Sequence, residues 1–192
     1  MFNFLNILTV QNRIKILKIS TAVFMCVGIL MSFKLWTLNR TFPVIKVFNW
    51  FPQLSETITL FVSLSLLILL VISFFKQHKG LYYGILSLVI ILLLEDYMRW
   101  QPWIYMYVLF FFIFLFDVKN KPERALFMLK LILAGTYFWA GAHKLNPYFI
   151  NTFPLQIATK IIYLFDIENT AIIYKLRYLG YIIPLIEIAI GL

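Results

Sequence analysis

Residues 57–75 read TITLFVSLSLLILLVISFF, with Glu56 before them and Lys76, His78 and Lys79 after them. No charge interrupts the stretch. A helix needs about 20 predominantly apolar residues to cross roughly 30 Å of hydrocarbon. An amphipathic helix of a soluble domain would place charged residues along one face, and this segment has none to place. The pattern repeats on both sides. Arg13, Lys15 and Lys18 precede an apolar run over Ile19–Phe33, and Leu81–Leu94, Trp100–Phe116 and Ala125–Ala142 follow. A last run extends from about Ala171 to Leu192. Composition agrees: 62% of residues are hydrophobic and 13% are charged, where a soluble domain carries about 25% charged residues. The expected fold is all-α, a polytopic transmembrane helix bundle of about six spans.

The net charge of +9 arises from 17 Lys and Arg against 8 Asp and Glu. These cations sit between the apolar runs, where they set membrane topology and meet anionic head groups. Membrane lipids are therefore the expected partner and nucleic acid is not. The lone cysteine, Cys26, excludes an internal disulfide or a CxxC redox pair. Met1–Val10 is apolar and the basic residues follow it, the reverse of a cleavable signal peptide, so the first span reads as its own targeting signal. The connector Trp36–Glu56, with Pro43 and Pro52, reads as an ordered interfacial loop.

Beyond the fifth run, Pro154, Ile157, Ala158, Ile161 and Phe165 recur at helical spacing, with Gln156, Thr159 and Lys160 opposite. That pattern predicts an amphipathic helix, interfacial or re-entrant. The last run contains Glu187 and, counted from Tyr178, falls short of a full span. Residues 1–192 therefore read as a single transmembrane domain forming the N-terminal part of a longer chain. With the N-terminus inside, Arg13, Lys15, Lys18, Lys76, Lys79, Lys119, Lys121 and Arg124 fall on the cytoplasmic side. Lys34, Arg40, Lys46, Arg99, Lys144 and Lys160 fall on the other, with Lys175 and Arg177 near the start of the last helix, a weak asymmetry near the helix ends favouring that orientation. Two crossings separate the Glu95–Trp103 turn from the His143–Tyr148 turn, so the count assigns both to one side.

Three places could carry chemistry. The first is Glu95-Asp96-Tyr97-Met98-Arg99-Trp100-Gln101-Pro102-Trp103. Leu81–Leu94 covers only about 21 Å, so a spanning helix must draw Glu95, and could draw Asp96, to the membrane margin. A carboxylate there must be paired, and Asp96 and Arg99 have the i,i+3 spacing of a pair. This turn is either a salt-bridged connection with an aromatic belt or the wall of a polar cavity. The second place is Tyr137-Phe138-Trp139-Ala140-Gly141-Ala142-His143-Lys144-Leu145-Asn146-Pro147. Ala134 and Gly141, and Gly135 and Ala142, form strips of small residues that let a neighbouring helix approach closely. Lys144, partly desolvated on such a fixed element, could serve as a base. Equally, it could snorkel to head groups while His143 complements the helix C-terminus. The third is Glu187, an acid inside a spanning helix three residues after Pro184, with Lys144 or Arg99 as its partner. His78, His143 and Cys26 supply no metal-ligand spacing, and no phosphate loop or Ser-His-Asp pattern is present.

Tyr137–Phe149 resembles the Tyr-x-x-Ala-Gly-x-x-Lys-Leu motif of the horizontally transferred transmembrane (HTTM) family. That family includes the membrane part of vitamin K-dependent gamma-glutamyl carboxylase. Asp96-x-x-Arg99-Trp100-Gln101-Pro102-Trp103-x-Tyr105 resembles turns of its bacterial members, and Pro184-x-x-Glu187-x-x-x-Gly191 resembles the DoxX/MauE group of small membrane proteins. In the carboxylase, the lysine of the motif is the base that deprotonates a reduced quinone, and Lys144 falls on it. The resemblance thus implies a bacterial inner-membrane protein with a polar pocket at the non-cytoplasmic face. Lys144 and His143 are its catalytic candidates. Asp96, Arg99, Trp100, Gln101, Asn146 and Glu187 are its binding candidates, for a lipophilic quinone or lipid-like substrate.

Two departures narrow this. The soluble region that engages the carboxylase's protein substrate has no counterpart in these residues, so glutamate carboxylation is not implied. No cysteine pair is present for MauE-like thiol chemistry. The alternative is a non-enzymatic DoxX/MauE-like redox-accessory or assembly subunit. A small transporter is a third reading, which the lack of paired broken helices disfavours. No cofactor and no protein partner is indicated.

Overall fold

The computed structural model describes residues 9–37, 40, 42–116, 121–165 and 179–192. It is 81% helix, and no strand occurs among the described residues. The helices are α1 (Val10–Met31), a single turn α2 (Phe33–Trp36), α3 (Glu56–Phe75), α4 (Lys79–Glu95), α5 (Pro102–Leu115), α6 (Pro122–Lys144), α7 (Pro147–Phe165) and α8 (Leu179–Gly191). Three of them, α1, α3 and α6, are long and apolar enough to cross a membrane, with mean hydropathies of 2.0, 2.8 and 1.5. The amphipathic pattern around Pro154–Phe165 forms the later part of α7, a helix that starts directly after Asn146. Of the last apolar run, α8 is described; Lys175 and Arg177 lie outside the described residues, as does Lys119.

The helix starts follow from local chemistry. Ser55 accepts a hydrogen bond from the Ile58 N–H at 3.3 Å, and His78 Nδ1 accepts from the Gly80 N–H at 3.1 Å. Each satisfies a donor that has no partner inside its helix. Helices α5, α6 and α7 each open on a proline, whose missing N–H costs nothing in the first turn. Glu123 sits in the first turn of α6 and His143 and Lys144 in its last, matching the helix dipole.

The chain forms two compact units, Met1–Leu129 and Lys130–Leu192, divided within α6. In the first, α1 packs against α3 and α5, and α4 packs against the same two, which closes a ring of four helices. Ile29, Leu66, Ile85, Val89 and Phe111 fill its centre. Gly28 is required there: a Cβ would stand 2.9 Å from the Trp103 ring, which lies against Trp36 at 6.4 Å.

The distribution of polarity is inverted relative to a soluble bundle. Phe24, Phe61, Phe75 and Phe112 point outward, Phe75 with 82% exposure. Thr59, Ser63, Glu95, Asp96 and Arg99 are buried. Outward phenylalanines and inward charges are the combination that water disfavours.

In the second unit α7 packs against α8. Two glycines set the approach of α6 to α8. A Cβ on Gly141 would lie 2.6 Å from the Pro184 carbonyl oxygen, and one on Gly191 would lie 2.7 Å from that of Ala134. Of the two small-residue strips, Ala134 and Gly141 therefore face α8, whereas a Cβ on Gly135 would meet nothing within 4 Å.

Candidate functional site

Helix α4 ends at Glu95 because Asp96 takes an extended conformation, φ −146° and ψ 114°. Asp96 Oδ1 then accepts from the Met98 N–H at 3.1 Å and caps a 3-10 turn, Tyr97–Arg99. This turn folds Arg99 back under the end of α4. Its Nη1 donates to the Leu92 carbonyl at 2.9 Å and to Glu95 Oε2 at 2.7 Å, and its Nε donates to the Leu35 carbonyl at 3.1 Å. The Trp100 indole N–H donates to the Leu93 carbonyl at 2.7 Å. Two side chains thus satisfy two of the C-terminal carbonyls of α4, those of Leu92 and Leu93, which would otherwise be stranded.

The network continues outward from Glu95. Its Oε1 accepts from the Thr59 hydroxyl at 2.7 Å, and Ser63 donates to the Trp36 carbonyl at 2.6 Å. Asp96 faces two cations. Arg40 Nη2 approaches its Oδ2 at 2.6 Å, while Arg99 Nε stands 4.0 Å away. Ile45 binds the same turn through its backbone, accepting from the Tyr97 N–H at 2.7 Å. Burial pulls the Arg99 pKa below its ordinary value, and the hydrogen bond and charge of Glu95 oppose that. A guanidinium starts high enough to stay charged.

The close partners here are Glu95 for Arg99 and Arg40 for Asp96. Sequence spacing points to Asp96 with Arg99, a pair present at 4.0 Å, and passes over Arg40, Thr59 and the closer contact of Arg99 with Glu95. The available signal is two adjacent carboxylates in a turn with one local cation, which calls for a second cation from a connector. Trp100 is half-buried against Tyr105, and Gln101 is exposed, accepting from the Trp103 indole at 3.2 Å.

In the second unit, Lys144 Nζ forms an ion pair with Glu187. The Phe149 ring lies 5.9 Å from the same ammonium. The pair is partly open, with side-chain exposures of 32% and 20%, while Glu187 Oε2 is buried without a partner. Both residues sit one turn from the glycine contacts that fix α6 against α8. Among the described residues, Asn146 bonds within its own neighbourhood. Its Oδ1 accepts from the Phe149 N–H at 2.8 Å and its Nδ2 donates to the His143 carbonyl at 2.8 Å. His143 is exposed.

The chain matches no protein-family model, no curated protein and no solved structure. Its chemistry therefore rests on these residues. The first unit holds a buried network of two arginines and two carboxylates, and the second an accessible lysine–carboxylate pair with one acceptor oxygen spare.

Proposed function

We propose that the chain is a multi-pass protein of a bacterial inner membrane, similar to the HTTM and DoxX/MauE groups, with its N-terminus in the cytoplasm. The Lys144–Glu187 pair is the polar centre of a site at the non-cytoplasmic face for a lipophilic quinone or lipid-like substrate. The six crossings of this reading are α1, α3, α4, α5, α6 and α8, with α7 interfacial or re-entrant. Helices α4, α5 and α8 have 17, 14 and 13 residues, or about 25, 21 and 20 Å. They reach the head groups by drawing their flanking turns inward or thinning the bilayer. The pairing of Glu95, Asp96 and Arg99 supports this, because a turn without exposed charge enters the membrane margin at lower cost.

The orientation is supported by cations at the two ends of the four-helix unit. Arg13, Lys15, Lys18, Lys76, Lys79, Lys121 and Arg124 flank one end, where Gln77 donates to the Lys15 carbonyl at 3.5 Å. At the other end Arg40 and Arg99 are taken by internal carboxylates, leaving Lys34 and Lys46. That asymmetry is sharper than the raw count of cations. Cys26 is the sole cysteine and is buried, so introduced cysteines can be read against a low background. A membrane-impermeant maleimide should label Lys46→Cys in intact cells and Lys121→Cys only after permeabilisation. The opposite pattern would overturn the orientation.

The single observation behind the substrate reading is the Lys144–Glu187 pair, with Glu187 Oε2 unpartnered. An ammonium donor beside a free carboxylate acceptor matches a quinol hydroxyl and the oxyanion it becomes on deprotonation. Equilibrium dialysis of a short-chain ubiquinone analogue held in its reduced quinol form, in detergent, tests it. The native protein should bind the analogue, and Lys144→Ala and Glu187→Gln should each weaken binding at least about tenfold. A native protein that binds no quinone, with both variants melting early, would favour the accessory-subunit reading, in which the pair only joins α6 to α8.

A further inference from the structure

The network at the end of α4 has more donors than acceptors. Glu95 Oε1 is used by Thr59 and Oε2 by Arg99, and Asp96 Oδ1 accepts from the N–H groups of Ile45 and Met98. Asp96 Oδ2 faces Arg40 Nη2 as an ion pair, without hydrogen-bond alignment. Arg40 Nε, Arg40 Nη1 and Arg99 Nη2 remain buried with no acceptor. Unpaired guanidinium donors out of water are costly, and Arg40, unlike Arg99, borders open space from which an acceptor-rich ligand could relieve that cost.

Room for such a ligand lies beside Arg40. A cavity of about 850 Å³ is lined by Arg40, Phe42 and the residues from Leu30 to Leu35, including Lys34. The Arg40 side chain is only 4% exposed, and its guanidinium lies 4.5 Å from the Phe42 ring centre. Lys34 is exposed. An outward apolar strip, Phe24, Val27 and Met31, runs along α1 to this cavity. Its spacing places these side chains on one face of the helix. A free oxyanion would use the cations and leave the strip idle; an anionic lipid uses both.

We infer that this cavity binds the phosphate of an anionic phospholipid, with Arg40 and Lys34 as donors and an acyl chain along Phe24, Val27 and Met31. The inference rests on the membrane reading but not on the Lys144–Glu187 site. Basic pockets at helix ends recognise lipid head groups by this combination of charge and apolar wall.

The test uses the full chain, purified in detergent and delipidated, titrated with phosphatidylglycerol or phosphatidylcholine in mixed micelles. Bound lipid is counted by native mass spectrometry. Phosphatidylglycerol should bind more tightly than phosphatidylcholine, and Lys34→Gln, at an exposed position, should weaken it about fivefold. Arg40→Lys keeps a cation for Asp96 but removes donors, and should weaken it as well. Lys144→Ala should leave phosphatidylglycerol binding unchanged, which separates a failure here from a failure of the quinone reading. Equal affinities for the two lipids, or no loss in Lys34→Gln, would overturn the inference. Inorganic phosphate displacing the lipid completely at matching concentration would assign the cavity to a free anion and overturn it too.

Discussion

Arg99→Leu is expected to destabilise the protein by about 3–5 kcal/mol, the range found when one partner of a buried ion pair is removed. Arg99 is fully buried and is the hub of the first unit. Its loss strands the Glu95 carboxylate with only the Thr59 hydroxyl for Oε1, and leaves the carbonyls of Leu35 and Leu92 without their donor. The measurement is thermal unfolding of the detergent-solubilised protein, beside Glu95→Gln and the double variant. Removing the carboxylate's charge relieves the uncompensated ion, so the double variant should lie well above the sum of the single losses. An Arg99→Leu protein that melts with the native one would show that this network does not hold the four helices together.

The second large effect is steric. In Gly141→Ala the new methyl would stand 2.6 Å from the Pro184 carbonyl oxygen and 2.9 Å from the Ile188 backbone nitrogen. Both are backbone atoms, so relief requires α6 and α8 to part. Overpacking of this kind costs about 1–3 kcal/mol. Gly135→Ala is the matched control, since its methyl meets nothing within 4 Å and alanine favours helix by about 1 kcal/mol over glycine. It should melt at or above the native temperature. Because the parting helices carry Lys144 and Glu187, Gly141→Ala should also weaken binding of the quinone analogue although neither residue has changed. Equal melting of the two variants would mean that α6 and α8 do not meet at Gly141.

Much of this is legible in the sequence, for a reason particular to lipid. A helix that crosses hydrocarbon must be long and apolar, and the run over residues 57–75 is such a helix, α3, Glu56–Phe75. Proline at the first position marks the start of α5 at Pro102. The pairing of charges is less legible. Asp96 and Arg99 have helical spacing, but the helix stops at Glu95 and the extended backbone of Asp96 turns its carboxylate toward Arg40. Spacing alone cannot see a partner supplied by a connector. Asn146 and Gln101 read as site residues because they are polar beside apolar runs, yet their hydrogen bonds are local. The two small-residue strips of α6 are equivalent as sequence. Only the placement of α8 distinguishes Gly141 from Gly135.

The contacts around Arg99 also bear on how the chain is assembled. The Leu35 carbonyl takes its hydrogen bond from a residue 64 positions later, and that of Trp36 from one 27 positions later. A ribosome delivers the N-terminal part first, so α1 and α2 arrive before the groups that complete them. In a membrane, the Trp36 carbonyl would need water or head groups until Ser63 emerges, and Arg40 and the Leu35 carbonyl until Asp96 and Arg99 do, because hydrocarbon offers them nothing. For a chain inserted in a membrane as proposed above, the early helices then wait at the bilayer's wet margin. Their final seating becomes one concerted step with α4, rather than a sequence of independent insertions.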